Sequence, residues 1–175
     1  MDKIENLKVL YSEEQIKQRI LEVASELNDF YNGDEVIAIC VLKGAVMFAV
    51  ELVKHLDMPL KLEFIRLSSY GSSTVTSGKV NAVDIQLPDL NGKNVLIIED
   101  IVDTGLTAKF LTDFINANFN LKSFKFCSLL DKKITRKVDI DPDYYCFDVD
   151  DRFVVGFGLD YDGYYRNLKD IGYKE

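Results

Sequence analysis

Seven consecutive apolar residues, Val36-Ile37-Ala38-Ile39-Cys40-Val41-Leu42, lie between Asp34-Glu35 and a Lys43-Gly44 break. A run with no polar face suits a strand covered on both sides, which points to a parallel sheet between layers of helices. The flanking patterns agree. Ser12-Glu13-Glu14-Gln15 reads as a capping box, and Ile16, Ile20, Val23 and Leu27 follow at helical spacing until Gly33. Ala45 to Leu56 reads as a second helix, and Lys61 to Leu67 as a strand. Lys79–Ile85 and Asn94–Ile98 read as strands joined through the Pro88-Asp89-Leu90-Asn91-Gly92 turn. A helix over about Leu106–Asn118 comes next, then strands near Ser123–Leu130, Tyr144–Val149 and Phe153–Phe157. Strands alternating with helices predict an α/β domain with a mostly parallel central sheet flanked by helices. At 175 residues and 47% hydrophobic content, with no repeat or linker, residues 1–175 are expected to form one domain with a substantial core.

Between the predicted strands lies Ser68-Ser69-Tyr70-Gly71-Ser72-Ser73-Thr74-Val75-Thr76-Ser77-Gly78, nine of whose eleven residues are Ser, Thr or Gly. It is too polar for core and too long for a hairpin turn, so residues 68–79 are expected to form a mobile loop. The net charge is −8, of which residues 139–175 contribute −6, and there is no basic stripe. Nucleic acid is therefore not an expected partner. No apolar stretch approaches membrane-spanning length, so a membrane is not expected either. Cys40, Cys127 and Cys146 are odd in number without a C-x-x-C pair, and Met1-Asp2-Lys3-Ile4-Glu5 lacks a signal-peptide core, which predicts a cytoplasmic location. The single histidine, His55, rules out H-E-x-x-H and C2H2 zinc sites and makes a Ser-His-Asp triad a poor fit.

The chemistry concentrates in Val95-Leu96-Ile97-Ile98-Glu99-Asp100-Ile101-Val102-Asp103-Thr104-Gly105-Leu106-Thr107. An apolar strand delivers two carboxylates at its carboxyl end, followed by a third acid and a Thr-Gly-x-Thr step into a helix. In open α/β sheets ligands bind at that edge, and amides with hydroxyls at a helix start suit a phosphate. The alternative is an acidic first helical turn in which Asp103 only caps. G-x-x-x-x-G-K-[ST] is absent, and Gly156-Phe157-Gly158 has Tyr161 where a dinucleotide fingerprint needs its third Gly. A sugar phosphate fits better: carboxylates for ribose hydroxyls or Mg2+, and loop amides with Thr104 and Thr107 for the phosphate.

The segment Ile98 to Thr107 resembles the signature of the type I phosphoribosyltransferases, and other motifs follow in that family's order: Val41-Leu42-Lys43-Gly44, Ser69-Tyr70, Leu129-Leu130-x-Lys132, and Phe153-Val154-Val155-Gly156-x-x-Leu159-Asp160-Tyr161 with Arg166. The resemblance extends over nearly the whole chain and is strongest to the branch acting on hypoxanthine and guanine. It implies a small hood over the sheet edge and an active-site lid that includes Ser69 and Tyr70. It also implies purine salvage: phosphoribosyl pyrophosphate and hypoxanthine or guanine give IMP or GMP and pyrophosphate, with Mg2+ as cofactor, in a homodimer or homotetramer.

By that resemblance Glu99 and Asp100 hold the ribose hydroxyls, directly or through Mg2+, and Asp103, Thr104, Gly105, Leu106 and Thr107 grip the 5′-phosphate. Lys43, Gly44, Arg136 and Arg166 face the pyrophosphate, and the Leu42-Lys43 bond is a candidate cis peptide. Asp103 is the general base for the purine N7 proton. Lys132 donates to the purine O6, Phe153 stacks on the base, and Val154 reads its pyrimidine edge through its backbone; Asp160 belongs with these purine-binding residues and, beside Glu99 and Asp100, is a metal ligand that reaches a second Mg2+ through water. Each has a plainer alternative: Lys43-Gly44 as a strand terminator, Phe153 as core, Asp160 as part of a solvated acidic tail. The segment Asp162-Gly163 departs from the family's pattern. Two other functions stay open at this point: a regulatory RNA-binding protein on the same fold, which the negative charge disfavours, and a phospho-receiver domain, whose acid pair belongs after the first strand rather than past mid-chain.

Overall fold

The computed structural model describes residues 6–69, 80–84 and 86–174. Nine strands and three α-helices follow in the order β1 (Lys8–Tyr11), α1 (Glu13–Tyr31), β2 (Val36–Leu42), α2 (Val46–Val53), β3 (Leu60–Ser69), β4 (Val80–Asp84), β5 (Asn94–Val102), α3 (Leu106–Asn118), β6 (Ser123–Asp131), β7 (Tyr144–Asp148), β8 (Val154–Val155) and β9 (Ile171–Tyr173), with a short 3-10 turn at Lys133–Thr135 after β6. The central sheet has the order β4-β3-β2-β5-β6-β7. Its last five strands are mutually parallel and β4 is antiparallel at the edge. This is the mostly parallel sheet that the apolar run 36–42 demands: Val36 to Val41 are all buried.

Helices α1 and α2 bury Ile16, Ile20, Leu27, Phe48 and Leu52 on one face of the sheet, with Leu96 and Ile98 of β5. Helix α3 buries Leu111 and Ile115 on the other, with Ile37, Ile39, Val95 and Ile97. The alternating side chains of β2 and β5 thus serve two apolar layers. The capping box forms as its spacing predicts: Ser12 accepts from the Gln15 amide, and the Gln15 side chain accepts from the Ser12 amide.

Three boundaries differ from the sequence pattern, each for a reason of pairing. β3 runs on through Ser69 because it is laddered to β4, with Ser68 opposite Asn81 and Ser69 opposite Val80. β5 continues past the apolar run to Val102, since Ile101 and Val102 pair with Leu130 and Asp131 of β6. The predicted strand 153–157 shrinks to Val154–Val155, because Gly156, Phe157 and Gly158 all take positive φ. The expected loop from Tyr70 to residue 79, and Tyr70 as a lid residue, lie outside the described residues, as does the Ser69 side chain.

A second, three-stranded antiparallel sheet, β1-β9-β8, joins the two ends of the chain. This is the hood. Periodicity gave no sign of β1 and β9, which are four and three residues long and draw their stability from each other across the sequence. Among the described residues no helix is long and apolar enough to cross a membrane.

Candidate active site

Strands β2 and β5 are neighbours in the sheet although β3 and β4 separate them in the chain. The connections leaving their carboxyl ends pass to opposite faces, through α2 and α3, and an open sheet forms a crevice at such a switch point. A cleft of about 360 Å³ lies there. Its walls are Leu42, Lys43 and Gly44 from the end of β2, the segment Glu99–Gly105 with Thr107 from β5 and the start of α3, and Asp160 and Arg166 from the chain between β8 and β9. The Leu42-Lys43 peptide is cis.

The two adjacent acids sit in different surroundings. Glu99 is buried; Oε1 accepts from the Asp100 amide at 3.2 Å, while Oε2 is buried without a hydrogen-bond partner. Burial, and after it the neighbouring Asp100 charge, pushes Glu99 well above the usual carboxylate range. Burial also raises Asp100, against the pull of its own hydrogen bonds and of the Arg166 charge. Room for the Asp100 carboxylate exists only because residue 44 is glycine: a β-carbon there would stand 1.5 Å from Asp100 Oδ2. A buried carboxylate oxygen with no donor, beside a second acid, fits a divalent cation or a hydroxyl-rich ligand. Among the described residues no three His, Cys, Asp or Glu side chains converge as a ready-made metal cluster. Asp160 shares the cleft but is engaged elsewhere, with Oδ1 on Arg166 Nη2 at 2.6 Å and Oδ2 accepting from the Gly163 amide at 2.7 Å.

Beyond β5 the chain turns into α3 through Gly105, whose φ of +80° favours glycine. A β-carbon at Gly105 would also meet Arg136 Cδ at 2.8 Å and Ile140 Cγ2 at 2.9 Å, so the segment 136–140 lies over this turn. The start of α3 has no side-chain cap, although the Leu106 amide reaches Thr104 Oγ1 at 3.4 Å. Uncapped amides with two threonine hydroxyls are groups that suit an anion. Thr104, Gly105 and Thr107 line the cleft and Leu106 does not.

Arg136 is the one predicted pyrophosphate residue that the structure keeps out of the cleft. Its guanidinium pairs with the buried Asp131 carboxylate and donates to the carbonyls of Ile140 and, at 3.3 Å, Val102; its Nε donates to the Asp103 carbonyl at 3.2 Å. An arginine with its donors committed inward is a brace for the loop beneath the cleft. Arg166 does face the cleft, with Nη1 on the Gly158 carbonyl at 2.6 Å.

Lys132 follows β6; its Nζ donates to the Arg152 carbonyl at 3.2 Å and pairs with Asp151 at 3.3 Å. That ties it to the segment carrying Phe153, which is 55% exposed and meets Tyr161 edge-to-face at 5.8 Å. An exposed ring is not core. Val154 is buried in β8 opposite Tyr173. His55 lies 3.6 Å from Glu51 at the end of α2, away from these groups, which removes a histidine-based triad. Sequence reasoning missed Asp131, the buried partner of Arg136, and Thr135, whose hydroxyl donates to Asp103 Oδ1. Both contacts depend on the 3-10 turn at Lys133–Thr135, which leaves no trace in the apolar pattern.

Residues 6–162 match the phosphoribosyl transferase domain family. The hypoxanthine-guanine phosphoribosyltransferase of Bacillus subtilis is 46% identical over 165 residues, spanning 94% of this chain and 91% of that protein. The enzyme of the same name from Streptococcus thermophilus is 44% identical with the same coverage. The crystal structure of a hypoxanthine-guanine phosphoribosyltransferase from Bacillus anthracis, with a HEPES molecule in its active site, superposes with a TM-score of 0.90 at 40% identity, covering 97% of this chain and 100% of that one.

Proposed function

The chain belongs to the phosphoribosyl transferase family, and from that membership we infer how its cleft carries out purine salvage, the transfer of a phosphoribosyl group to hypoxanthine or guanine. The donor is phosphoribosyl pyrophosphate; the products are IMP or GMP and pyrophosphate. The single observation that carries the residue-level reading is the juxtaposition, in one cleft, of an acid pair, an uncapped helix start and a cationic wall.

The 5′-phosphate sits on the amides and hydroxyls of Thr104–Thr107 at the start of α3. The ribose lies over Glu99 and Asp100, and the pyrophosphate faces Lys43, the Gly44 amide and Arg166. Purine N9 attacks C1′ as the bond from C1′ to the pyrophosphate oxygen breaks, and its electron pair leaves with pyrophosphate. Positive charge develops on the ribose and negative charge on the leaving group, so carboxylates on one side and cations on the other lower the barrier. Asp103 accepts the proton lost from N7. Lys132 donates to O6, and the exposed Phe153 ring stacks on the base.

Glu99 and Asp100 fit Mg2+, because a cation would satisfy the orphaned Glu99 Oε2 and relieve the repulsion between the two carboxylates, and Asp160 in the same cleft would serve a second Mg2+. Held by Glu99 and Asp100, Mg2+ would supply positive charge against the donor's phosphates and the departing pyrophosphate. For assembly we favour a homodimer or homotetramer in the cytoplasm; Met47 and Val50, three residues apart on α2, are 42% and 47% exposed and offer an apolar contact for a second copy.

A spectrophotometric assay with phosphoribosyl pyrophosphate, Mg2+ and each of hypoxanthine, guanine, xanthine and adenine tests this reading. Hypoxanthine and guanine are expected well above xanthine, with adenine near background. Binding of the donor without turnover of any base would overturn it in favour of a regulatory protein.

A further inference from the structure

Asp103 is exposed in the loop between β5 and α3, and a free carboxylate there would sample several rotamers. It is not free. Its carbonyl accepts from Arg136 Nε at 3.2 Å, and its Oδ1 accepts from the Thr135 hydroxyl. Among the described residues no hydrogen bond reaches its Oδ2. Thr135 has one hydroxyl proton and two acceptors within reach, Asp103 Oδ1 and the Lys132 carbonyl at 3.1 Å. A charged acceptor takes the stronger hydrogen bond, so the proton points to the carboxylate.

The placement of this hydroxyl is itself built in. Thr135 ends the 3-10 turn, held by the Arg136 amide on the Lys133 carbonyl at 3.1 Å. The next residue, Arg136, is anchored on buried Asp131 and on the Val102 and Asp103 carbonyls. A β-branched side chain on such a fixed turn has little χ1 freedom. The same turn begins at Lys132, so the lysine and the Asp103 carboxylate are set relative to each other through one short, braced segment. On a 6-oxopurine, O6 and N7 are neighbours on one edge, and a site reading both needs that spacing fixed.

We propose that Thr135 is a positioning residue for the reaction: its hydroxyl pins Asp103 Oδ1, leaves Oδ2 to take the N7 proton, and locks the distance between the proton acceptor and the O6 donor on Lys132. The proposal rests on the reading of Asp103 as general base. It is distinct from that reading, because Thr135 does not line the cleft and acts through Asp103.

The test is a double-mutant cycle in single-turnover kinetics, so that product release does not mask chemistry. Thr135→Val keeps the shape and removes the hydroxyl, with Thr135→Ala as a second deletion. Each should slow the chemical step by about 10-fold, less than the roughly 100-fold cost of a full 1 Å misplacement because the Asp103 backbone stays braced by Arg136, while KM for both substrates stays within about twofold. Thr135→Ser should restore most of the rate. On an Asp103→Ala background, Thr135→Val should cost nothing further. An unchanged rate in both deletions, or the same loss with and without the Asp103 carboxylate, overturns the role of Thr135. Wild-type rate in Asp103→Ala alone would instead overturn the general-base reading.

Discussion

The Asp100 carboxylate occupies the space that any side chain on residue 44 would need: a β-carbon on Gly44 would lie 1.5 Å from Asp100 Oδ2 and 2.6 Å from its Cγ. The end of β2 and the end of β5 therefore interlock, and Gly44 in turn carries the segment above it, since a β-carbon on Gly158 would meet the Gly44 carbonyl oxygen at 2.1 Å. Three layers of the cleft are stacked through backbone that tolerates no added atom.

Gly44→Ala should accordingly displace the Asp100 carboxylate, because residue 44 is held in the short turn between the end of β2 and the start of α2 and Asp100 is held in β5. Nucleotide formation is expected to fall by about 100-fold, the scale of a misplacement near 1 Å. Steady-state kinetics check this, with circular dichroism to show that the fold is kept.

Arg136→Ala should act on stability. Asp131 has no exposed side-chain surface, and removing its main partner leaves a buried carboxylate with, among the described residues, only Lys133, at 3.5 Å from Oδ2, to answer it. A loss of about 3 kcal/mol is expected, measured by denaturant unfolding. A variant with unchanged stability and a raised KM for pyrophosphate in the reverse reaction would return Arg136 to the pyrophosphate site.

The acid pair predicts a pH dependence of stability in the ligand-free protein. Glu99 and Asp100 have folded-state pKa values raised by burial, so the folded chain holds protons longer than the unfolded chain. Stability from these groups is present below the ordinary carboxylate range and is lost as pH rises through the raised values. Glu99→Gln, which cannot ionise, should melt several degrees higher than wild type at neutral pH, with the gap closing toward pH 4, while activity drops. Scanning calorimetry across pH decides it; a variant less stable at every pH would refute the assignment of cause.

Lys132→Ala should blur the distinction between 6-oxo and 6-amino purines. An ammonium only donates, so it pairs with the O6 of hypoxanthine or guanine and opposes the amino group of adenine, and an unmatched buried polar pair costs about 1–3 kcal/mol. The ratio of kcat/KM for hypoxanthine over adenine should narrow by about 10-fold or more. An unchanged ratio would remove Lys132 from base recognition.

Much of the frame was legible in the linear chain because its signals are local. The unbroken run Val36–Leu42 requires cover on both faces, the Ser12–Gln15 box closes within one helical turn, and Glu99-Asp100 followed by Thr104-Gly105-Leu106-Thr107 places acids and phosphate donors a few residues apart at one sheet edge. Such features are decided by periodicity and by the geometry of one strand-to-helix step, which neighbouring residues already specify.

Other features had no local signal. β1 and β9 exist because Lys8 and Tyr173 lie opposite each other across almost the entire chain. The family resemblance sets Arg136 toward the pyrophosphate; in the fold it is bound to Asp131, and Thr135 gains its proposed role only because a short turn carries it over Asp103. The order of residues thus determines which elements form and which chemistry each sheet edge can carry. Which cation faces the ligand and which braces the loop is decided by packing, because an ion pair or a hydroxyl contact depends on distances that only the assembled sheet and hood bring below hydrogen-bond length.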